Sequence, residues 1–162
     1  MAAYPRQLMP RTSRIRLLQP PYHPLFVHFP IALYFLGVLM TLGYLWRRGN
    51  HTHRIDYERF AYWSFLLSWL AALVASLVGL VDRGMLDYDD PRQQALDQHI
   101  TQAIFFIILN GLVLYSRFRW PRVLDSPKRW LYLGLIGLGI AAITATGWLG
   151  GKLVYELHVG IR

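Results

Sequence analysis

The segment WLYLGLIGLGIAAITATGWL, residues 130–149, contains no Asp, Glu, Lys or Arg at any of its 20 positions. Three further segments share this property: residues 25–46, 60–81 and 100–116. A helix of ~22 residues is ~33 Å long, close to the ~30 Å hydrocarbon core of a bilayer, and ~17 residues is the short limit for a span. Each segment is therefore long enough to cross a membrane.

These segments predict membrane spans rather than soluble helices, because a soluble helix needs a polar face and these are apolar on all sides. Of the 162 residues, 54% are hydrophobic and only 16% are charged. In lipid the backbone must satisfy its own hydrogen bonds, which a helix does. The sequence predicts an all-α integral membrane four-helix bundle, antiparallel and up-down, with both termini on the same side.

Two parts of the chain differ in composition. Residues 1–22 form a basic extension with four Arg and four Pro, whereas residues 23–162 contain the four spans. This composition does not indicate an independent domain. We interpret residues 1–22 as a segment that wraps over a partner or lies on the membrane surface.

Basic residues in the loops predict the orientation. The first and third loops carry nine of them: Arg47, Arg48, Arg54, Arg59, Arg117, Arg119, Arg122, Lys128 and Arg129. The opposite side carries four: Arg83, Arg92, Lys152 and Arg162. By the positive-inside rule the first and third loops are cytoplasmic and both termini face outward. The four Arg of the extension oppose this assignment.

Several classes of protein are excluded or disfavoured. With no Cys there is no disulfide, no thiolate-bound iron–sulfur cluster and no covalent c-type haem. The spans lack the charged relay that is usual in a proton-coupled transporter. The net charge of +8 is explained by basic loops, and nothing indicates a nucleic-acid partner.

Histidine is the residue type that indicates a site. Of six, His51 and His53 lie in the basic first loop and are interpreted as solvated. The other four are predicted at the outward surface: His23, His28, His99 and His158. Uncharged imidazoles from facing helices commonly hold haem iron in a bundle, so this end is a candidate site for haem b.

Other residues could complete such a site, although each has a second interpretation. Arg83 and Lys152, at the outer ends of the second and fourth spans, could bind haem propionates or simply anchor helix ends at the headgroups. Small residues could make room for a macrocycle or form packing seams between helices. They are Ala71, Ala75, Gly79, Gly134, Gly137, Gly147 and Gly151.

The start of the first span allows two geometries. Pro30 is either the first helical residue or a kink in a helix that begins near Pro24. In the second case His23 and His28 point ~140° apart around the helix and cannot bind one iron.

The run HPLFVHFPIA, residues 23–32, resembles a bacterial family of small four-helix membrane proteins known as domain of unknown function 2231. Asp97-Gln98-His99 and the ending at residues 147–160 are also similar to that family. The resemblance covers about residues 22–162. It implies a multi-pass protein of the bacterial inner membrane and, because relatives are sometimes joined to cytochrome or Rieske-type domains, an electron-transfer setting.

We interpret the chain as a haem b subunit of a larger redox complex and not as an enzyme by itself. His28 and His99 are the first choice of axial pair, with His23 and His158 as ligands of a second haem or metal. Its expected partners are lipids, other subunits, quinol and an outward soluble redox protein steered by the acidic second loop. The alternatives are a cofactor-free structural subunit, or a Zn or Cu site in which Asp97 joins the histidines.

A topology experiment checks the orientation. A periplasm-dependent reporter fused after Arg162 should be active, and the same reporter inserted at Gly49 should be silent, because of the charge bias of the loops. A cytoplasm-dependent reporter at the two positions should give the reverse pattern. A cytoplasmic C-terminus would invert the orientation and move the four histidines inside.

Overall fold

The structure is a computed structural model that describes residues 26–47, 51–83 and 90–158. This part of the chain contains four long helices: α1 His28–Trp46, α2 His51–Arg83, α3 Gln93–Arg119 and α4 Arg129–Tyr155. A short 3-10 helix, Val123–Asp125, lies between α3 and α4. Consecutive helices pack antiparallel, and α1 also contacts α4. The predicted all-α membrane four-helix bundle is confirmed.

All four helices contain a stretch long and apolar enough to cross a membrane: His28–Trp46, Ile55–Leu80, Gln93–Arg119 and Arg129–Tyr155. The last three helices extend beyond the apolar segments from which they were predicted. A helix keeps its backbone bonded as it passes through the headgroups, so it need not end where charged residues begin. Consequently His51 and His53, predicted in a loop, instead belong to the first turn of α2.

Pro30 lies in the first turn of α1, two residues after the helix begins at His28. The N–H groups of a first turn have no partner within the helix, so proline is accommodated there without breaking a bond. Its carbonyl oxygen accepts a hydrogen bond of 2.8 Å from the hydroxyl of Ser68 on α2. The entry of α1 is thus attached to α2.

Tyr34, on α1, is the centre of the core and contacts all three other helices. Its ring packs edge-on against Phe65 of α2 and Phe106 of α3, each with a centroid separation of 5.1 Å. Its hydroxyl donates a 3.1 Å hydrogen bond to the carbonyl oxygen of Ile136 on α4. The side chain is fully buried. One residue therefore fixes the mutual positions of the four helices.

Glycines allow this close approach. A Cβ added at Gly139 on α4 would overlap the Tyr34 hydroxyl and lie 2.6 Å from Cζ of that ring. On α1, Gly37 and Gly43 receive the aromatic rings of Phe65 and Tyr57 from α2 in the same way. Aromatic side chains that fill the space above a glycine are thus a repeated contact in this bundle.

The small residues highlighted in the sequence only partly coincide with these contacts. Ala75 is buried, and a Cβ at Gly147 would lie 3.9 Å from Ile31 of α1. A Cβ at Gly134, Gly137 or Gly151 would meet no atom of the described residues within 4 Å. The glycines in the closest helix contacts are therefore Gly37, Gly43 and Gly139, which the sequence had not singled out.

Replacement of Gly139 by Ala should destabilise the bundle by roughly 1–3 kcal/mol or more, the usual range for overpacking, because Tyr34 is held by three helices and cannot move aside. Gly137→Ala is the matched control, because its Cβ has open space. The free energy of unfolding in mixed detergent micelles measures both. Equal stabilities of the two variants would contradict the central role of Tyr34.

Candidate functional site

The starts of α1 and α3 and the ends of α2 and α4 lie at one end of the antiparallel bundle, which we call the outer end. His28 and His99 are on α1 and α3, and Lys152 and His158 are at and after the last turn of α4. The fold thus brings these residues to the same end. Their burial and contacts differ.

His99 is the buried member of the set, with 8% of its surface exposed. Its Nδ1 lies 3.0 Å from the carbonyl oxygen of Thr146 on α4. A carbonyl oxygen can only accept, so Nδ1 carries the proton and donates it. In the neutral ring Nε2 is then the nitrogen with a lone pair, which is the usual state of a histidine that binds a metal.

The His99 ring packs against a glycine of α4. A Cβ at Gly150 would lie 3.1 Å from Cε1 of the ring and 3.5 Å from Nδ1. Thr146 and Gly150 are one turn apart, so together they form a notch that sets both the position and the tautomer of His99. We call these three residues the His99 notch.

His28 is the first residue of α1, and its side chain is exposed. The depth of His28 in the bundle can be judged from Ile31, which lies one turn further along α1. Ile31 packs beside Gly147 of α4. One turn outward from Gly147 is Gly150, against which His99 packs. Because α1 and α4 are antiparallel, His28 and the His99 ring lie at similar depths in the bundle.

The other predicted site residues have different surroundings. His158 is exposed and has a backbone φ of 55°, a left-handed conformation that few non-glycine residues adopt. Lys152 is exposed in the last turn of α4. Arg83 is the last residue of α2, and its side chain lies outside the described part of the structure. His23 lies outside the described residues.

A polar groove of about 700 Å³ runs beside the outer half of α3. Its lining consists of Gln94, Asp97, Gln98, Thr101 and Gln102 of α3 together with Leu149 of α4. These α3 residues follow a helical spacing that puts them on one face. His99 faces α4 through the notch, so the groove and the notch use different sides of the same helix turns.

Within the described residues, no three His, Cys, Asp or Glu side chains lie close enough together to hold a metal ion. Among those residues, the structure therefore provides no ready-made cluster for the Zn or Cu alternative. It does provide one oriented imidazole, in the His99 notch. Sequence reasoning identified His99 but not its partners Thr146 and Gly150.

Arg92, which immediately precedes α3, connects the start of that helix to the end of α4. Its guanidinium binds the carboxylate of Asp90, with Nη2 2.6 Å from Oδ2, and its Nη1 reaches the carbonyl oxygen of Leu157 at 3.4 Å. The backbone N–H of Arg92 also donates to Asp90 at 2.9 Å. The hydrogen bonds from Arg92 lower the pKa of the Asp90 carboxyl to about 2.

The variant Arg92→Gln should raise the pKa of Asp90 from about 2 towards its ordinary value of 3.8, because the main hydrogen bonds to the carboxylate are lost. In the parent protein the stabilisation is complete above pH 3.8 and disappears as pH falls towards 2. Carboxyl chemical shifts in micelles measure this titration. Lys152→Gln, at the same end, is the control, and an identical Asp90 titration in both variants would contradict the prediction.

Comparison with known proteins supports the resemblance seen in the sequence. The chain matches the family described as "Predicted membrane protein (DUF2231)" over residues 19–162. No curated protein and no solved structure matches it. The match includes all four helices and the His99 notch. The chain therefore belongs to this family of predicted membrane proteins.

Proposed function

We propose that the chain is a membrane subunit that binds haem b non-covalently at the outer end of the bundle, for electron transfer or anchoring within a larger redox complex. The His99 notch is the observation that carries this proposal. An imidazole that is buried, held by a backbone carbonyl and restricted to one tautomer is prepared as an axial ligand.

The chemistry of the residues at the outer end supports haem binding. His99 supplies an oriented nitrogen, and His28, at a similar depth on α1, is the candidate for the second axial position. Imidazole side chains are common axial ligands of b-type haem. Lys152 and Arg83 carry positive charge at the same end and are the candidates for propionate contacts. His23 and His158 are the candidates for a second pair.

A bound haem would supply one-electron redox chemistry. The role of the chain is to set ligand geometry and environment. The Thr146 carbonyl fixes the His99 ring and increases the basicity of Nε2, which tunes the affinity for iron. Quinol on the membrane side and a soluble protein on the outward side are the proposed electron partners.

A cofactor-free structural subunit is the second candidate, and the polar face of α3 favours it. Gln94, Asp97, Gln98 and Thr101 are exposed along one side of a candidate span. Polar side chains that face outward from a bundle are well placed to bind another subunit. Only 22% to 33% of each candidate span is buried inside the chain, which leaves a large area for such contacts.

An absorption spectrum of the protein, isolated with its native partners, separates these candidates. The haem proposal expects Soret and α bands in the reduced-minus-oxidised difference spectrum. A bound metal without such bands supports the Zn or Cu alternative. Absence of both supports the structural subunit and overturns the haem proposal.

Histidine variants test the ligands. His28→Ala and His99→Ala should lose haem or convert it to a high-spin form, because each removes one strong axial ligand. His51→Ala and His53→Ala, at the opposite end of the bundle, should keep the parent spectrum. With two haems, His23→Ala or His158→Ala should each remove about half of the absorbance, since two imidazoles serve each iron.

A glycine pair tests the notch without touching a ligand. Gly150→Ala places a methyl group against the His99 ring and should shift the spectrum or weaken haem retention. Gly151→Ala, whose Cβ has open space among the described residues, should leave the spectrum unchanged. Equal spectra for these two variants would show that the notch does not orient an iron ligand.

A further inference from the structure

The connection between α3 and α4, at the end of the bundle opposite to His28 and His99, is a well-anchored loop. Val123 and Leu124 of its 3-10 helix are buried in the core. The hydroxyl of Tyr44 on α1 donates a 2.7 Å hydrogen bond to Oδ2 of Asp125. The hydroxyl of Ser126 donates to the carbonyl oxygen of Val123 at 2.9 Å. The loop therefore presents its remaining side chains in fixed positions.

Those side chains form a basic groove of about 460 Å³. Its lining consists of Arg119, Trp120, Pro121, Arg122, Ser126 and Lys128. Three of the six carry positive charge, and none carries negative charge. We call this the basic groove.

Two of the three cations of the basic groove lie close to one indole ring. Nζ of Lys128 lies 4.0 Å from the centroid of the Trp120 ring, and Cζ of Arg119 lies 5.9 Å from it. Cation–π contacts hold such charges in place while leaving their N–H donors able to bind an anion. The hydroxyl of Ser126 adds a polar group to the same lining.

Exposed apolar side chains adjoin the basic groove on both helices. Phe118, immediately before Arg119, is 81% exposed, and Trp130, at the start of α4, is 69% exposed. In a membrane-spanning bundle such residues face lipid, and Trp marks the level of the headgroups. The basic groove thus lies where the hydrocarbon surface of the protein meets the headgroup layer.

We propose that the basic groove binds the phosphodiester headgroup of an anionic phospholipid. The three cations match the negative charge of a phosphodiester, and the adjoining Phe118 and Trp130 provide an apolar surface for the acyl chains. A soluble anion could use the cations but would gain nothing from that surface. Basic pockets between membrane helices are known to suit anionic headgroups.

Ordinary charge attraction by a basic loop is the alternative, and matched variants distinguish it. Arg122→Gln/Lys128→Gln removes two charges from the basic groove. Arg47→Gln/Arg59→Gln removes two exposed charges from the same end of the bundle, outside the groove. All four side chains are exposed, so both double variants should fold, which thermal unfolding in detergent checks.

Native mass spectrometry of the detergent-solubilised chain with added phosphatidylglycerol or phosphatidylcholine measures binding. We expect one retained phosphatidylglycerol and no comparable retention of phosphatidylcholine. Each basic residue near an anionic lipid surface contributes roughly fivefold in affinity, so the groove variant, which lacks two, should bind about twenty-fivefold more weakly. The control variant should bind like the parent.

Three outcomes would overturn the proposal. Equal weakening in both variants would indicate charge attraction without a site. Equal retention of phosphatidylglycerol and phosphatidylcholine would show that the negative charge of the headgroup does not contribute to binding. Displacement of phosphatidylglycerol by millimolar inorganic phosphate would identify a soluble phosphate site instead of a lipid site.

Discussion

Tyr34 is the contact on which the arrangement of the four helices depends. Helices in lipid gain little from the hydrophobic effect, so close packing and interhelical hydrogen bonds must hold them together. The Tyr34 ring touches Phe65 and Phe106, and its hydroxyl reaches a carbonyl of α4. Because Gly139 leaves room for that hydroxyl, α1 and α4 can approach closely at this point.

Side chains that bond to backbone carbonyls of a neighbouring helix recur through the bundle. Asn110 of α3 is fully buried and donates to the carbonyl of Phe65 on α2, and Ser68 of α2 donates to Pro30 on α1. The contact of His99 with Thr146 is of the same type. A histidine held in this way has a structural role in helix packing, and the same bond prepares its ring for ligation. The two roles are compatible.

Composition predicted the helices, but not their ends or contacts. Charged residues at positions 54–59 suggested a loop, yet α2 includes them because its backbone bonds continue through the headgroup region. The apolar spans carry no amphipathic pattern, so no sequence signal distinguished the face of α1 that holds Tyr34. The sequence also could not predict which glycine contacts Tyr34, since Gly139 and Gly137 have similar apolar neighbours in the sequence. The His99 notch relies on a backbone carbonyl, which any residue at position 146 would supply.

The helices pack most extensively in two pairs, α1 with α2 and α3 with α4. The bond from His99 to Thr146 and the reach of Arg92 to Leu157 both lie within the second pair. His28 belongs to the first pair. A haem bound by both His28 and His99 would therefore join the two pairs at the outer end, as Tyr34 does in the core. On this proposal the cofactor would stabilise the association of the pairs as well as carry electrons, because a ligand that binds only the assembled state favours it.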